Sequence, residues 1–470
     1  MTAHNPECTV SVNDRSCAVR PRLQNTGSTL QNSTKTNVAD LIDNSRIGGF
    51  QIALFVLCGL CLMLDGFDVQ AIGYVAKTLF TEWHIPNSAG RVVSSTLVGV
   101  LLGSIFLSML ADKIGRRPVL IGATLYFSVL TMLTTQVTSL DALLGIRFLA
   151  GIGLGGIMPN AVALVGEYSP RRSRVSIMLI VANGFTAGAA IGGIIASWLV
   201  PAYGWKSVFY AGGALPLVIG LTMLVWLPES LQFLVQRGRP ERTRERIGRW
   251  LKRIAPSARI NDKTEYVLTE KKHSGVPFVR LFHDGRAGGT SLIWVVNFLN
   301  LLNLYFLASW LPTVAQEAGY SPSTSILVGS TLQIGGTIGA LSLGWFIHRM
   351  GFVPVLVSCF ALACANIALI GQPGLSLFLL ISVVFVAGIG IVGGQAGVNA
   401  LSATFYPTDL RSTGIGAGLG IGRIGSIIGP TLGEYMRKEW PVHQLFYAAA
   451  IPALIAAVVL FFFRNALKSR

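Results

Sequence analysis

Two acidic residues three positions apart, Asp65 and Asp68, lie inside one apolar stretch, and two arginines, Arg147 and Arg423, lie inside two others. Ionisable groups in such stretches cost about 2.5–3.5 kcal/mol each on insertion scales, so each is a functional candidate. A spacing of three puts the two aspartates on one helix face. A carboxyl group in a partly dehydrated cavity can take a proton from one side of a membrane and release it on the other; a structural salt bridge to a cation in another stretch is the competing reading. Arg147 and Arg423 are permanently charged and need an anion, supplied either by the protein or by a substrate. Two arginines against two aspartates nearly balance, so an anionic substrate and a proton would favour each other's binding. Glu167, near the end of the Arg147 stretch, is a third proton-coupling candidate, with pairing to Arg171 or Arg174 as its alternative.

Amides form a second set. Asn297, Asn300 and Asn303 recur at helical spacing, followed by Tyr305 and Trp310, and Gln395 and Asn399 share another face. Amides and aromatics suit the hydroxyl and ring of a phenolic ligand, which makes Asn303, Tyr305 and Gln395 candidate substrate contacts; hydrogen bonding between helices accounts for the amides equally well. Enzyme chemistry has no support. The six cysteines lack disulfide or zinc spacing, and Cys58-x-x-Cys61 reads as small packing residues in an apolar helix. Gly-x-Gly-x-x-Gly occurs twice, within 151–156 and 388–394, but inside apolar helices rather than after a strand. Neither a metal nor a cofactor is expected.

The elements that must position these residues are legible from composition. Of 470 residues, 52% are hydrophobic and only 12% charged, against roughly 25% charged in soluble domains. Twelve apolar stretches recur, near 50–72, 90–111, 117–137, 141–166, 175–200, 206–227, 289–314, 323–347, 353–371, 375–403, 411–436 and 442–463. Each is long enough to cross a hydrocarbon core of about 30 Å. The formal charge of +16 would point to nucleic acid in a soluble protein. Here the basic residues instead follow topology: with the amino terminus in the cytoplasm, 30 of the 37 Lys and Arg fall on that side, 14 of them in the central loop. That is the positive-inside pattern, with both termini cytoplasmic and nucleic acid excluded as a partner.

Residues 1–46 are polar and read as a flexible cytoplasmic tail without a secretory signal. A basic cytoplasmic loop, 229–288, separates an amino-terminal six-helix half, 47–228, from a carboxy-terminal one, 289–470; within it, 237–253 reads as an amphipathic surface helix. The halves repeat. Gly99, Gly103, Gly115 and Pro118 match Gly335, Gly339, Gly351 and Pro354 at a constant offset, and Ala150 through Gly153, Pro170 and Arg174 match Ala387 through Gly390, Pro407 and Arg411. The expected fold is an all-α membrane protein: twelve transmembrane helices in two pseudo-symmetric six-helix halves, with substrate bound between them.

The segment from Gly103 through Arg117 resembles the signature loop between the second and third spans of the major facilitator superfamily. Asp112 at a helix end can pair with a basic residue or a helix amino terminus, while Arg116 and Arg117 sit at the lipid surface, so the cluster reads as a conformational latch. Arg411 reads as the latch of the second half. A narrower resemblance is carried by Leu64-Asp-Gly-Phe-Asp68, the run from Arg147 to Asn160 with Glu167, LPESLQFLV from Leu227 to Val235, Tyr406 through Gly416, and Gly420 through Gly425. These look like the aromatic acid:proton symporter family. The resemblance implies import of hydroxybenzoate-, protocatechuate- or gallate-type anions across a bacterial inner membrane. It makes Asp65 and Asp68 coupling carboxylates and Arg147, Arg411 and Arg423 the important basic residues, and adds Asn160 as a candidate substrate contact. Partners would be the substrate, protons and the bilayer, for a monomeric protein. The Gln-Gln pair of sugar porters in span seven and the Gly-Pro pair of drug antiporters in span five are both missing. A sugar, polyol or other organic-ion carrier, and a membrane sensor that binds aromatic acids without transport, remain the alternatives.

Overall fold

A computed structural model of the chain describes residues 35–236, 247–248, 250–251, 254, 265–267, 277–407 and 410–468. Among them are twelve helices long and apolar enough to cross a membrane. They are α1 (Gly49–Glu82), α2 (Ala89–Ile114), α3 (Arg116–Gln136), α4 (Leu140–Tyr168), α5 (Arg174–Tyr203), α6 (Lys206–Trp226), α7 (Ala287–Glu317), α8 (Pro322–Met350), α9 (Phe352–Ile370), α10 (Leu377–Phe405), α11 (Arg411–Met436) and α12 (Val442–Lys468). With no water in a hydrocarbon core to satisfy backbone groups, the helix is the form that pairs them within one segment. The first helix overruns its expected end at 72 by ten residues. Nothing from Gly73 to Glu82 breaks it, and Tyr74, Val75, Ala76, Leu79 and Phe80 are all buried.

Helices α1–α6 pack as one bundle and α7–α12 as another. The internal repeat is visible at the turns. Gly115 ends α2 with φ +107° and Gly351 ends α8 with φ +85°, a backbone that favours glycine, which carries no Cβ. It is visible again at the seams. Gly99, Gly103 and Gly151 bring α2 and α4 into backbone contact, and their counterparts Gly335, Gly339 and Gly388 do the same for α8 and α10. The α1/α5 seam closes on Gly66 and Gly188, and the α7/α11 seam on Gly425 and Gly429. In the second bundle α10 contains a π-helical turn, Ile389–Gly393. Such a wide turn inside an α-helix is frequent at functional sites.

The bundle has a basic end, where α2 and α8 finish and Arg116, Arg117 and Arg349 lie, and a far end, where α1, α5, α7 and α11 finish. The two halves touch through α1/α7, α2/α11 and α5/α8. Part of the expected flexible tail is docked. A short helix, Val38–Asp43, buries Val38 and Ile42 against the first half, and Asp43 pairs with Arg174 of α5. Residues 35–37 form a three-residue parallel strand pair with 265–267 of the central loop. Residues 1–34 and most of the surface helix expected at 237–253 lie outside the described residues; Trp250, which is described, stacks on Phe50 with ring centroids 5.2 Å apart.

The seams have little room. A Cβ on Gly188 would collide with the Met63 backbone, whereas one on Gly59 meets nothing within 4 Å. Gly188→Leu is therefore expected to lower the melting temperature of the purified protein sharply, since overpacking costs about 1–3 kcal/mol or more. Gly59→Ala should melt like the wild type.

Candidate functional site

The two aspartates of α1 go different ways. A step of three residues turns roughly 60° around a helix, enough for Asp68 to face the interior of its own half while Asp65 faces the other half. Asp68 and Arg147 of α4 are fully enclosed and joined twice, Nη2 to Oδ2 at 2.7 Å and Nη1 to Oδ1 at 3.2 Å. Arg147 Nη2 also donates to the Asp68 backbone carbonyl at 3.3 Å, and the Thr131 hydroxyl of α3 donates to Asp68 Oδ1 at 2.8 Å. The Phe209 ring of α6 lies 5.7 Å from the guanidinium carbon. The anion that Arg147 needed is thus a protein carboxylate, and its side chain has no open surface for a substrate. Thr131 and Phe209 carried no sequence signal; each is an ordinary residue of an apolar stretch.

Asp65 is 4% exposed, and its carboxylate accepts no hydrogen bond among the described residues. The charge of Arg423, from α11 of the opposite half, acts on it and on the Tyr305 hydroxyl of α7. Arg423 keeps part of its surface open although it sits mid-helix. A carboxyl group, a guanidinium and a phenol from three helices and both halves therefore converge.

The candidate contacts Asn303 and Tyr305 face different sides of α7. Two residues turn about 200° around a helix, and Asn303 is fully buried with neither amide atom partnered among the described residues. Asn160 is buried too and donates to the Gly156 carbonyl of its own helix at 2.7 Å. Gln395 belongs to an amide chain: Asn300 Nδ2 donates to Gln395 Oε1 at 2.8 Å, and Gln395 Nε2 donates to Asn297 Oδ1 at 2.9 Å and Asn399 Oδ1 at 3.1 Å.

At the basic end the latch residues are differently partnered from expectation. Asp112 is exposed, and no ion pair involves it among the described residues. The acid role falls to Glu229, in the Leu-Pro-Glu-Ser segment, whose Oε1 accepts the Arg116 and Arg117 backbone amides at 2.9 and 3.1 Å and so caps α3. Glu167 pairs with Arg116 at 3.2 Å and accepts from the Ser230 hydroxyl at 2.5 Å, which puts this proton-coupling candidate in the end cluster. Arg411 is exposed at the first residue of α11.

At the far end the halves are tied together. Arg91 of α2 gives Glu434 of α11 both its backbone amide, at 2.9 Å to Oε2, and its Nε, at 2.8 Å to Oε1. Beside it the Ser94 hydroxyl bonds the Ile427 carbonyl at 2.5 Å, and lies 2.6 Å from the Thr431 hydroxyl. Gln70 Nε2 donates to the Ala308 carbonyl at 3.1 Å. All the side-chain hydrogen bonds between halves found among the described residues lie at this end.

Two six-helix halves, closed at one end and charged where they meet, are matched by comparison. The sequence model of the Major Facilitator Superfamily fits residues 58–417 and, in a second match, 293–470. The chain belongs to that superfamily. It is 36% identical over 426 residues to the 4-hydroxybenzoate transporter PcaK of Pseudomonas putida, covering 90% of this chain and 94% of that one. It is 35% identical over 429 residues to the gallate transporter of the same organism, again covering 90% and 94%. A solved bacterial homologue of the human lysosomal transporter Spinster shares the fold, with a TM-score of 0.64 at 17% identity over 90% of this chain and 99% of that chain. The chain is thus a multi-pass membrane transporter of the major facilitator superfamily, and not an enzyme.

Two outcomes follow for this transporter. Arg147→Ala leaves the buried Asp68 carboxylate without its cation, which costs about 3–5 kcal/mol; denaturation of the purified protein should show a large loss that Asp68→Ala, added to it, partly restores. Glu434→Ala should lengthen the distance between spin labels at the far ends of α2 and α11. Exchanging the two as Arg91→Glu with Glu434→Arg should restore only part of it, because the backbone amide of residue 91 also uses the carboxylate.

Proposed function

We propose that this transporter imports small aromatic acid anions of the hydroxybenzoate, protocatechuate or gallate type by proton symport. The observation that carries the reading is that the charge of Arg423, in one half, acts on the buried Asp65 of the other. With Asp65 ionised, Arg423 already has an anion. With Asp65 protonated, Arg423 is left with an uncompensated charge, and a substrate carboxylate takes the vacated role. Proton and anion then bind together because each removes the cost of the other, the low local dielectric making both costs large. Tyr305, which feels the same charge, offers an aromatic face to the ring. The Asp68–Arg147 pair acts as the rigid backing of this arrangement. The relatedness to transporters named for 4-hydroxybenzoate and gallate supports the substrate class.

We read the basic end and both termini as cytoplasmic, which the positive-inside pattern supports, and the carrier as a monomer of a bacterial inner membrane. The far-end ties then describe an inward-facing carrier, and the outward-facing state requires the Arg91–Glu434 and Ser94–Thr431 contacts to break. One proton with a monoanion is electroneutral and draws only on the pH gradient, about 1.4 kcal/mol per unit. A second proton would add the membrane potential, about 2.3 kcal/mol per 100 mV.

The test is uptake of radiolabelled 4-hydroxybenzoate and gallate into vesicles under an inward proton gradient. Accumulation should rise as the external pH is lowered, collapse with a protonophore, and vanish in Asp65→Asn, with binding in that variant independent of pH. Arg423→Ala should lose both binding and uptake. Competition by neutral sugars would move the substrate to the other carrier classes, and binding without accumulation in the wild type would favour a sensor.

A further inference from the structure

The amide chain between α7 and α10 contains one member that helix packing does not explain. Asn297 and Asn300 on α7 and Gln395 on α10 hold the two helices together, and Asn300 also donates to the Ile391 carbonyl in the π-helical turn at 3.0 Å. Gln395 is fully oriented by this: both its N–H groups are donated and its oxygen accepts from Asn300. Asn399 is different. Its only hydrogen bond among the described residues is to Gln395, four residues away on the same helix, so it ties no helices together. Its Nδ2 donates to no described protein group, and both Gln395 and Asn399 are partly exposed. The chain also stands at the level of the carboxylate site: Gly422, the residue before Arg423, packs on the backbone of Asn297, whose side-chain oxygen takes one of the Gln395 hydrogens.

We infer that Asn399 and Gln395 read a ring hydroxyl of the substrate, with Asn297 and Asn300 as the residues that position them. This rests on the reading of Arg423 as the carboxylate partner, and gives the ring hydroxyl that the proposed substrates share its own partners in the site. A phenolic hydroxyl has one donor and two acceptor sites. The free Asn399 N–H group donates to it, and it donates to the remaining lone pair of Gln395 Oε1. A ligand without the hydroxyl leaves these polar groups desolvated and unpaired, which is how a polar site rejects the smaller analogue. Because Gln395 is locked by three neighbours before the ligand arrives, no ordering cost falls on it when the ligand binds.

The experiment measures binding of 4-hydroxybenzoate and benzoate, which differ by the hydroxyl alone, to the purified full-length transporter by calorimetry. Wild type should prefer 4-hydroxybenzoate. Asn399→Ala should weaken 4-hydroxybenzoate about tenfold or more and bring its affinity close to that for benzoate. Asn399→Ser, which keeps a short hydrogen-bonding group, should retain part of the preference. Asn300→Ala should reduce the preference through misplacement of Gln395. An unchanged ratio of the two affinities in Asn399→Ala overturns the inference, as does a wild type that binds both acids alike; neither touches the aromatic acid reading. A wild type that binds neither acid overturns that reading and this one with it. Should Asn399→Ala not fold, Asn399→Ser carries the same comparison.

Discussion

A guanidinium cannot shed its charge, so an arginine inside a membrane-crossing helix has to be given an anion. This chain carries two such arginines and treats them in opposite ways. Arg147 is met within its own half by Asp68, with Thr131 and the Phe209 ring completing an enclosure drawn from α1, α3, α4 and α6. The arrangement binds four helices of one bundle around a single closed pair, and nothing in it has to change when the halves move. Arg423 forms no ion pair among the described residues, and its charge reaches Asp65 across the boundary. That encounter lies on the surface along which the halves separate, so the neutrality of the site depends both on conformation and on what occupies it. In the proposed mechanism this difference divides the labour: one pair makes the first half rigid, the other couples proton to substrate.

The same logic orders the ends. At the basic end the ionic contacts of Glu229, at the start of the central loop, and of Glu167, Arg116 and Arg117 do not reach the second half. They fix the loop after α2 without tying the halves together. At the far end Glu434 collects two bonds from Arg91, and Ser94 reaches Ile427 and Thr431, all of them across the boundary. Such contacts must be given up for the opposite end to close. Glycine seams at α1/α5, α2/α4, α7/α11 and α8/α10 hold each half together as a unit, while at the boundary itself Gly73 meets the Ala308 backbone and Gly90 the Pro430 backbone.

The fold was almost wholly legible. Twelve apolar stretches, a basic central break and the glycine repeat yield twelve helices in two halves, because length and polarity alone decide whether a segment crosses hydrocarbon. The extension of α1 to Glu82 was hidden because its last residues thin out in hydrophobicity without any breaker. The charged members of the site were legible as well, since a charge in an apolar stretch stands out whatever surrounds it.

Their partners were not legible. Spacing placed Asp65 and Asp68 on one face, and it is the neighbouring helices that divide them, one to Arg147 and one to Arg423. Asn303 and Tyr305, both candidate contacts, point to nearly opposite sides of α7, while Asn399 gained its interest only from what Gln395 and Asn300 already bond. Glu434, Arg91 and Glu229 carry no mark in the chain that foretells their contacts. By itself the sequence determined which segments leave water and which charges go with them, because those are properties of each segment and its solvent. Which charge meets which was decided only by the tertiary structure, because hydrogen bonds and ion pairs form over a few ångströms between helices whose order in space the chain does not spell out.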